Sequence, residues 1–66
     1  MRLKQNKAEE IKNKYKLDYI AKQLGVSKQF ISYLFNNKRT CSKKTAQKIL
    51  DIVDKESKIE KYFKEN

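Results

Sequence analysis

Apolar residues recur every three or four positions along most of the chain, which is the spacing of one face of an α-helix. The clearest run comprises Leu17, Ile20, Ala21 and Leu24. It stops at Gly25, and glycine readily adopts the left-handed conformation that ends many helices. A helix over 17–24 is therefore predicted. No stretch alternates apolar and polar residues convincingly, so strands are not expected.

Two serines indicate where the next helices begin. Ser27 precedes the apolar residues of a helix predicted over 28–36, and Ser42 precedes those of a helix predicted over 43–54. A serine hydroxyl at such a position accepts a hydrogen bond from a free amide group of the first turn. Both helices are therefore predicted with a defined start.

Both ends of the chain carry the spacing of a capping box, in which a polar cap residue and a Glu three positions later satisfy each other's amide groups. Asn6 begins such a box and predicts a helix over 7–15. Ser57 begins another and predicts a helix over 58–65. The expected fold is all-α, a small bundle of four to five helices that forms one domain over 1–66.

The helices over 17–24 and 28–36 have the apolar spacing of two helices that cross at a large angle through a tight turn. Ala21 is small enough for the crossing, Gly25 supplies the turn and Val26 is expected to fill the corner. The chain's only glycine thus falls where a helix-turn-helix needs one. This packing predicts an outward face of polar or polar-tipped residues without an acid: Lys28, Gln29, Ser32, Tyr33 and Asn36. Such groups can bond base edges and phosphates.

The charge distribution supports that interpretation. The 66 residues hold 17 Lys and Arg against 8 Asp and Glu, a net charge of +9, which favours a polyanionic partner. Residues 19–50 contain seven bases and no acid, whereas residues 51–66 contain four bases and five acids. The helix-turn-helix is therefore expected to bind nucleic acid. The C-terminal segment is expected to pack against the core or to pair with a second copy of the chain.

Residue usage argues against several classes of protein. The chain has no His, and neither a catalytic arrangement nor a metal-ligand cluster is evident, so no enzyme, metal or cofactor is expected. Cys41 is the only cysteine, and we expect it to be a small apolar core residue. No apolar run exceeds three residues, which argues against a transmembrane segment or signal peptide and favours a cytoplasmic location.

The helix-turn-helix segment reads LDYIAKQLGVSKQFISYLFNN and continues as KRTCSKKTAQKIL. It resembles the bacterial and phage transcription regulators of the Cro/repressor (XRE-like) type. The continuation is also similar to the headpiece of the lac-repressor type, but a helix ahead of the motif favours the Cro/repressor arrangement. The resemblance covers about residues 17–53. It implies a repressor that inserts helix 28–36 in the major groove of an operator. It also implies that the repressor binds a palindromic operator as a homodimer, and that it comes from a bacterium or a phage.

The resemblance also implies contacts for individual residues. The base contacts are Lys28, Gln29, Ser32 and Tyr33. The phosphate contacts that flank this helix are Ser27, Asn36, Asn37, Lys38, Arg39 and Thr40. The family often begins the first helix of the motif with a Gln that holds a phosphate, whereas this chain has Leu17. The expected substitutes for that contact are Lys16, Lys22 or the amide nitrogens at the start of the helix, since helix N-termini attract phosphate.

Several residues have two interpretations. Phe30 either meets a thymine methyl group or covers the edge of the core, and Tyr33 is either a DNA contact or a solvated aromatic residue. A C-terminal apolar stripe either closes the core or forms a two-fold interface, and it consists of Ile59, Tyr62 and Phe63. Tyr15 and Tyr19 are expected in the core or at its edge.

Two further functions are compatible with the same features. One is an architectural or recombination-directionality factor, which also binds DNA but bends or organises it. The other is a protein-binding module such as an antirepressor or antitoxin, which would present the C-terminal stripe to a partner. Neither a small-molecule effector nor a membrane partner is indicated.

Overall fold

The computed structural model describes residues 1–65, which form five helices and one two-stranded sheet. In chain order the elements are β1 (Arg2–Leu3), α1 (Gln5–Lys14), α2 (Leu17–Leu24), α3 (Lys28–Phe35), α4 (Lys43–Val53), α5 (Ile59–Tyr62) and β2 (Phe63–Lys64). The predicted helical class is confirmed, and the first four helices end within two residues of their predicted bounds. The prediction of one domain over 1–66 extends to Asn66, which lies outside the described residues.

The turn between α2 and α3 has the conformation that the sequence predicts. Gly25 is left-handed, with φ 72° and ψ 32°. Its amide nitrogen donates to the Lys22 carbonyl oxygen at 3.3 Å, and the Val26 amide nitrogen donates to the Ala21 carbonyl oxygen at 3.0 Å. These two bonds satisfy the last carbonyl groups of α2 in the Schellman pattern. Val26 therefore acts through its backbone, and the prediction that its side chain fills the corner is wrong, because that residue is 39% exposed.

The two predicted serine caps are present. The Ser27 hydroxyl oxygen accepts from the Phe30 amide nitrogen at 3.1 Å, at the start of α3. The Ser42 hydroxyl oxygen accepts from the Thr45 amide nitrogen at 3.2 Å, at the start of α4. Each cap fixes the first turn of a helix that borders the loop over 36–42.

The capping boxes predicted at the two ends of the chain are wrong. α1 begins after Lys4, whose amide nitrogen donates to the Tyr62 carbonyl oxygen at 2.8 Å, so pairing with the C-terminal segment decides where this helix starts. At the other end, α5 begins after Lys58 without a side-chain cap. The Ser57 hydroxyl instead donates to the Asp54 carboxylate.

The expectation of no strands and the predicted helix over 58–65 are also wrong. α5 ends at Tyr62, and the following residues pair antiparallel with the N-terminal segment. Leu3 lies opposite Phe63 in this pairing, and each is only 1% exposed. The sheet therefore buries two large apolar side chains at one edge of the core. Strands of two residues are too short to display period-two alternation in a sequence.

The core lies between the helices and is closed by the C-terminal stripe. α2, α3 and α4 contribute fully buried side chains, among them Ile20, Leu34 and Leu50. The three stripe residues Ile59, Tyr62 and Phe63 are also buried within this chain. Cys41 is half-buried and packs against the same core at the start of α4.

We predict that Gly25→Ala lowers the free energy of unfolding by about 1–2 kcal/mol, which is the cost of a left-handed conformation for a residue with a Cβ. Nothing lies within 4 Å of a Cβ built at this position, so the cost is conformational and not steric. Gly25→Asn is the matched control and should lose less, since Asn tolerates this conformation. Urea unfolding measures both variants, and equal losses would contradict the explanation.

Asp54 links the end of α4 to α5. Its carboxylate accepts hydrogen bonds from the Ser57 hydroxyl and, at 3.0 Å, from the Tyr62 hydroxyl. Both donors favour the charged form, so they hold the pKa of Asp54 below its ordinary value of 3.8. Burial and the bond to Asp54 raise the pKa of the Tyr62 hydroxyl.

We predict a pH-dependent effect of Tyr62→Phe, which removes one donor and keeps the ring. A carboxyl group with a lowered folded pKa contributes stability that is complete above its ordinary pKa of 3.8 and is lost as the pH falls through the folded value. The stability difference between wild type and variant should therefore be largest at neutral pH and shrink below pH 3.8. Urea unfolding over a pH series measures it. Tyr33→Phe, which breaks no bond to a carboxylate, should show no such dependence.

Candidate nucleic-acid interface

The outer face of α3 is defined by the burial of its inner face. Ile31, Leu34 and Phe35 are fully buried. On the opposite side, three of the four predicted base-contact residues are exposed, namely Lys28, Gln29 and Tyr33, and the fourth, Ser32, is half-buried. The structure therefore brings these four side chains together along one exposed helix face.

Gln29 and Tyr33 form a pair on this face. The Gln29 Nε2 atom donates to the Tyr33 hydroxyl oxygen at 2.9 Å, one helical turn away. Tyr33 remains 40% exposed. The hydrogen bond uses one of the two N–H groups of the Gln29 amide, so the carbonyl oxygen and the other N–H group remain available to a ligand.

Lys28 forms an ion pair with Asp18, which was not predicted from the sequence. Its Nζ atom lies 3.1 Å from Oδ1 of Asp18, and both side chains are about two-thirds exposed. Asp18 lies in the first turn of α2, one residue before the acid-free stretch over 19–50. The sequence held one indication of this ion pair, which is that Asp18 lies at the start of α2 and that α2 was expected to pack against α3. An exposed pair of this kind contributes little stability, so Lys28 can exchange its partner.

The end of α3 is held by Asn36. Its Nδ2 atom donates to the Ser32 carbonyl oxygen at 2.8 Å, and its Oδ1 atom accepts from Lys12 Nζ at 3.2 Å. Both polar groups of this amide thus have partners within the protein. Asn36 therefore contributes to the shape of the predicted phosphate-contact region.

The loop over 36–42 carries the other predicted phosphate contacts. Asn37 has a positive φ of 59°, and its side-chain amide donates to Gln5 on α1. Lys38 is exposed. Arg39 is also exposed, and its guanidinium lies 5.2 Å from the centre of the Phe30 ring. Phe30 is half-buried against the core, which agrees with its interpretation as a packing residue.

The N-terminal segment runs along this loop. The Cys41 amide nitrogen donates to the Met1 carbonyl oxygen at 2.9 Å, and the Met1 amino group donates to the Cys41 carbonyl oxygen. Burial raises the pKa of the Cys41 thiol, which keeps it protonated near neutral pH. These contacts hold the loop in place beside β1.

A groove lies between the end of α1 and the starts of α2 and α3. It has a volume of about 600 Å³ and is lined by Lys12, Lys14, Lys16, Leu17, Asp18 and Lys28. Lys16, one of the two lysines expected to substitute for the phosphate-holding Gln, therefore faces this groove. Lys22, the other, is exposed in the last turn of α2.

Tyr19 lies outside the core, so the expectation that it lies in the core or at its edge is wrong. It is 48% exposed and stacks on Tyr15, with ring centres 6.1 Å apart. Tyr15 is half-buried at the C-terminal end of α1, as expected for a residue at the core edge. The stacking partner explains how an aromatic residue is accommodated on the surface of α2.

The packing of α2 and α3 through a glycine turn, with a polar and acid-free outer face on the second helix, defines a helix-turn-helix DNA-binding domain. A sequence model of the helix-turn-helix family matches residues 8–59. The chain belongs to this family, among the DNA-binding regulators of the XRE or Cro-like type. Searches of curated proteins and of solved structures gave no match. Within residues 1–65, no helix is long and apolar enough to cross a membrane.

We predict that Asp18→Asn raises the affinity for random-sequence duplex DNA by about two- to five-fold, the scale of one screened surface charge. The substitution frees Lys28 and removes a carboxylate that repels phosphates. Glu10→Gln on α1 is the matched control, because it removes the same charge from another ion pair, with Lys7. Fluorescence anisotropy at several salt concentrations measures both variants. Equal increases in affinity for the two variants would contradict the prediction, because they would show that the net charge of the protein determines the affinity and the position of the carboxylate does not.

Proposed function

We propose that the protein is a Cro-like repressor, a sequence-specific regulator that inserts α3 in the major groove of an operator. The observation that carries this proposal is the exposed row of Lys28, Gln29 and Tyr33 on a helix whose other face is buried. An α-helix fits the major groove, where each base pair has a distinct pattern of donors and acceptors.

The chemistry of this row suits base recognition. Gln29 retains a free carbonyl oxygen and a free N–H group, which match N6 and N7 of adenine. Lys28 can leave Asp18 and donate to O6 and N7 of guanine. Ser32 and Tyr33 lie one turn further along the helix and would meet the neighbouring base pairs. Recognition of this kind discriminates by about 1–3 kcal/mol for each well-made pair.

The residues that flank α3 would hold phosphates and fix the register of the helix in the groove. On the proposed interface these are Lys16, Lys22, Ser27, Lys38, Arg39 and Thr40, with Asn36 and Asn37 shaping the loop. Each cation that neutralises a phosphate releases counterions, which makes binding dependent on salt.

We further propose that two copies bind a palindromic operator with half-sites about 34 Å apart. One copy presents few base contacts, so a second copy adds the affinity and length of site that regulation requires. Ile59 and Phe63 are buried in the chain's own core, so the two-fold contact would use another surface.

Burial of the stripe also bears on the competing functions. A partner-binding antirepressor or antitoxin would need these residues on its surface, and they are 1–8% exposed. An architectural role uses the same DNA-binding surface and is distinguished by its effect on the DNA. Bending of a site without a preference for its sequence would support that role in place of repression.

We predict that wild type prefers duplex fragments from its own gene neighbourhood over scrambled duplex at physiological salt, and that Lys28→Ala with Gln29→Ala removes this preference. Each of the two contacts is expected to contribute about 5- to 150-fold in discrimination, so the double variant should lose at least this much. Anisotropy titrations measure the affinities, and the stoichiometry on a palindromic fragment tests for two copies.

The matched control is Gln23→Ala with Lys55→Ala, which removes the same residue types from exposed positions outside α3. This control should keep the preference of wild type. Equal affinity of wild type for scrambled and neighbourhood duplexes would exclude sequence-specific repression.

A further inference from the structure

We propose that the small sheet formed by the two ends of the chain belongs to the DNA interface, and that Arg2 and Lys64 bind the phosphate backbone beside the loop over 36–42. We refer to these two residues as the terminal cation pair. The inference rests on the proposed function, because it adds a second contact surface for the same DNA partner.

The register of the sheet determines where the terminal cation pair points. Arg2 lies directly opposite Lys64, and Leu3 lies directly opposite Phe63. Successive residues of a strand point to opposite faces. Because Leu3 and Phe63 are buried, the terminal cation pair projects from the outer face.

The two positive charges of the terminal cation pair repel each other. Like charges directly opposite each other in a sheet destabilise it. Within residues 1–65, no carboxylate forms an ion pair with Arg2 or with Lys64. The free protein therefore retains a repulsion between two cations that an anion placed over the sheet would relieve.

Arg2 also lies beside the loop over 36–42. Arg2 Nη1 donates to the Asn37 carbonyl oxygen at 3.2 Å, in the loop where Lys38 and Arg39 follow. This bond uses one of the five donors of a guanidinium group. The remaining donors have the planar arrangement that binds phosphate oxygens in pairs. Arg2 is thus oriented beside the residues proposed to contact phosphates.

Lys64 extends the same row of charge. Neighbouring strands lie about 4.8 Å apart, so its backbone is one strand further from the loop than that of Arg2. A DNA backbone carries charge at regular, short intervals, which suits a row of cations better than a single small anion would. We therefore assign the surface to the phosphate backbone, beyond the groove-reading helix.

The test compares Arg2→Gln and Lys64→Gln with wild type in salt titrations on the preferred duplex and on scrambled duplex. The slope of log affinity against log salt is negative, and loss of one phosphate contact reduces its magnitude by about 0.9. Each variant should lose about this much on both duplexes, since phosphate contacts carry no sequence information. Arg2→Lys keeps the charge and should keep the slope.

Lys55→Gln is the matched control, since it neutralises an exposed lysine after the far end of α4. That helix has 11 residues and so separates Lys55 from the loop over 36–42 by about 16 Å. This control should leave the slope near that of wild type.

A folding defect would lower the melting temperature together with the affinity for DNA, whereas the inference predicts opposite changes for Lys64→Gln. Lys64→Gln relieves the repulsion with Arg2, so it should raise the melting temperature of the free protein while it weakens DNA binding. Slopes for Arg2→Gln and Lys64→Gln equal to that of Lys55→Gln, with wild type still binding, would overturn this inference alone. Failure of wild type to bind any duplex would overturn the proposed function as well.

Discussion

Burial of one face of α3 is the constraint on which the rest of this protein depends. A helix of eight residues is only marginally stable by itself, so its stability must come from packing. Ile31 and Leu34 supply that packing against α2 and the core. Since the helical period is fixed, anchoring the inner face also fixes the direction of Lys28 and Gln29. The same contacts therefore stabilise the fold and orient the residues proposed to recognise DNA.

The loop after α3 depends on residues that are distant in the chain. Met1 pairs with Cys41, and both Arg2 and Gln5 bond Asn37. β1 is in turn held by its pairing with β2. Both ends of the chain thus support the loop that carries the proposed phosphate contacts. Phosphate contacts set the register of a recognition helix, so on the proposed interface the sheet would support recognition through the position of this loop.

Local features were predictable from the sequence, and contacts between distant residues were not. The bounds of α2, the turn at Gly25 and the caps at Ser27 and Ser42 each follow from residues that lie close together in the chain. The sheet joins residues about 60 positions apart, and no local pattern marks such a pairing.

The same distinction applies to the candidate site. The exposed row on α3 follows from the periodicity of one helix, since the residues that alternate with it are buried. The ion pair between Asp18 and Lys28 joins two helices, and its prediction requires the angle at which they cross. Tyr19 does not share the three- to four-residue spacing of the buried face of α2, and it stacks on Tyr15 at the surface.

Asp18 gives the interface a property that a purely basic surface lacks. On the proposed interface, a sequence that offers Lys28 no base acceptor would leave the lysine with its carboxylate partner, and the two charges would largely cancel toward nearby phosphates. A sequence that offers guanine would let Lys28 exchange one acceptor for another at little cost, because the exposed pair is weak. Binding to the wrong sequence would then be weakened more than binding to the right one. Specificity is a difference of affinities, and a carboxylate beside the proposed recognition helix would increase that difference.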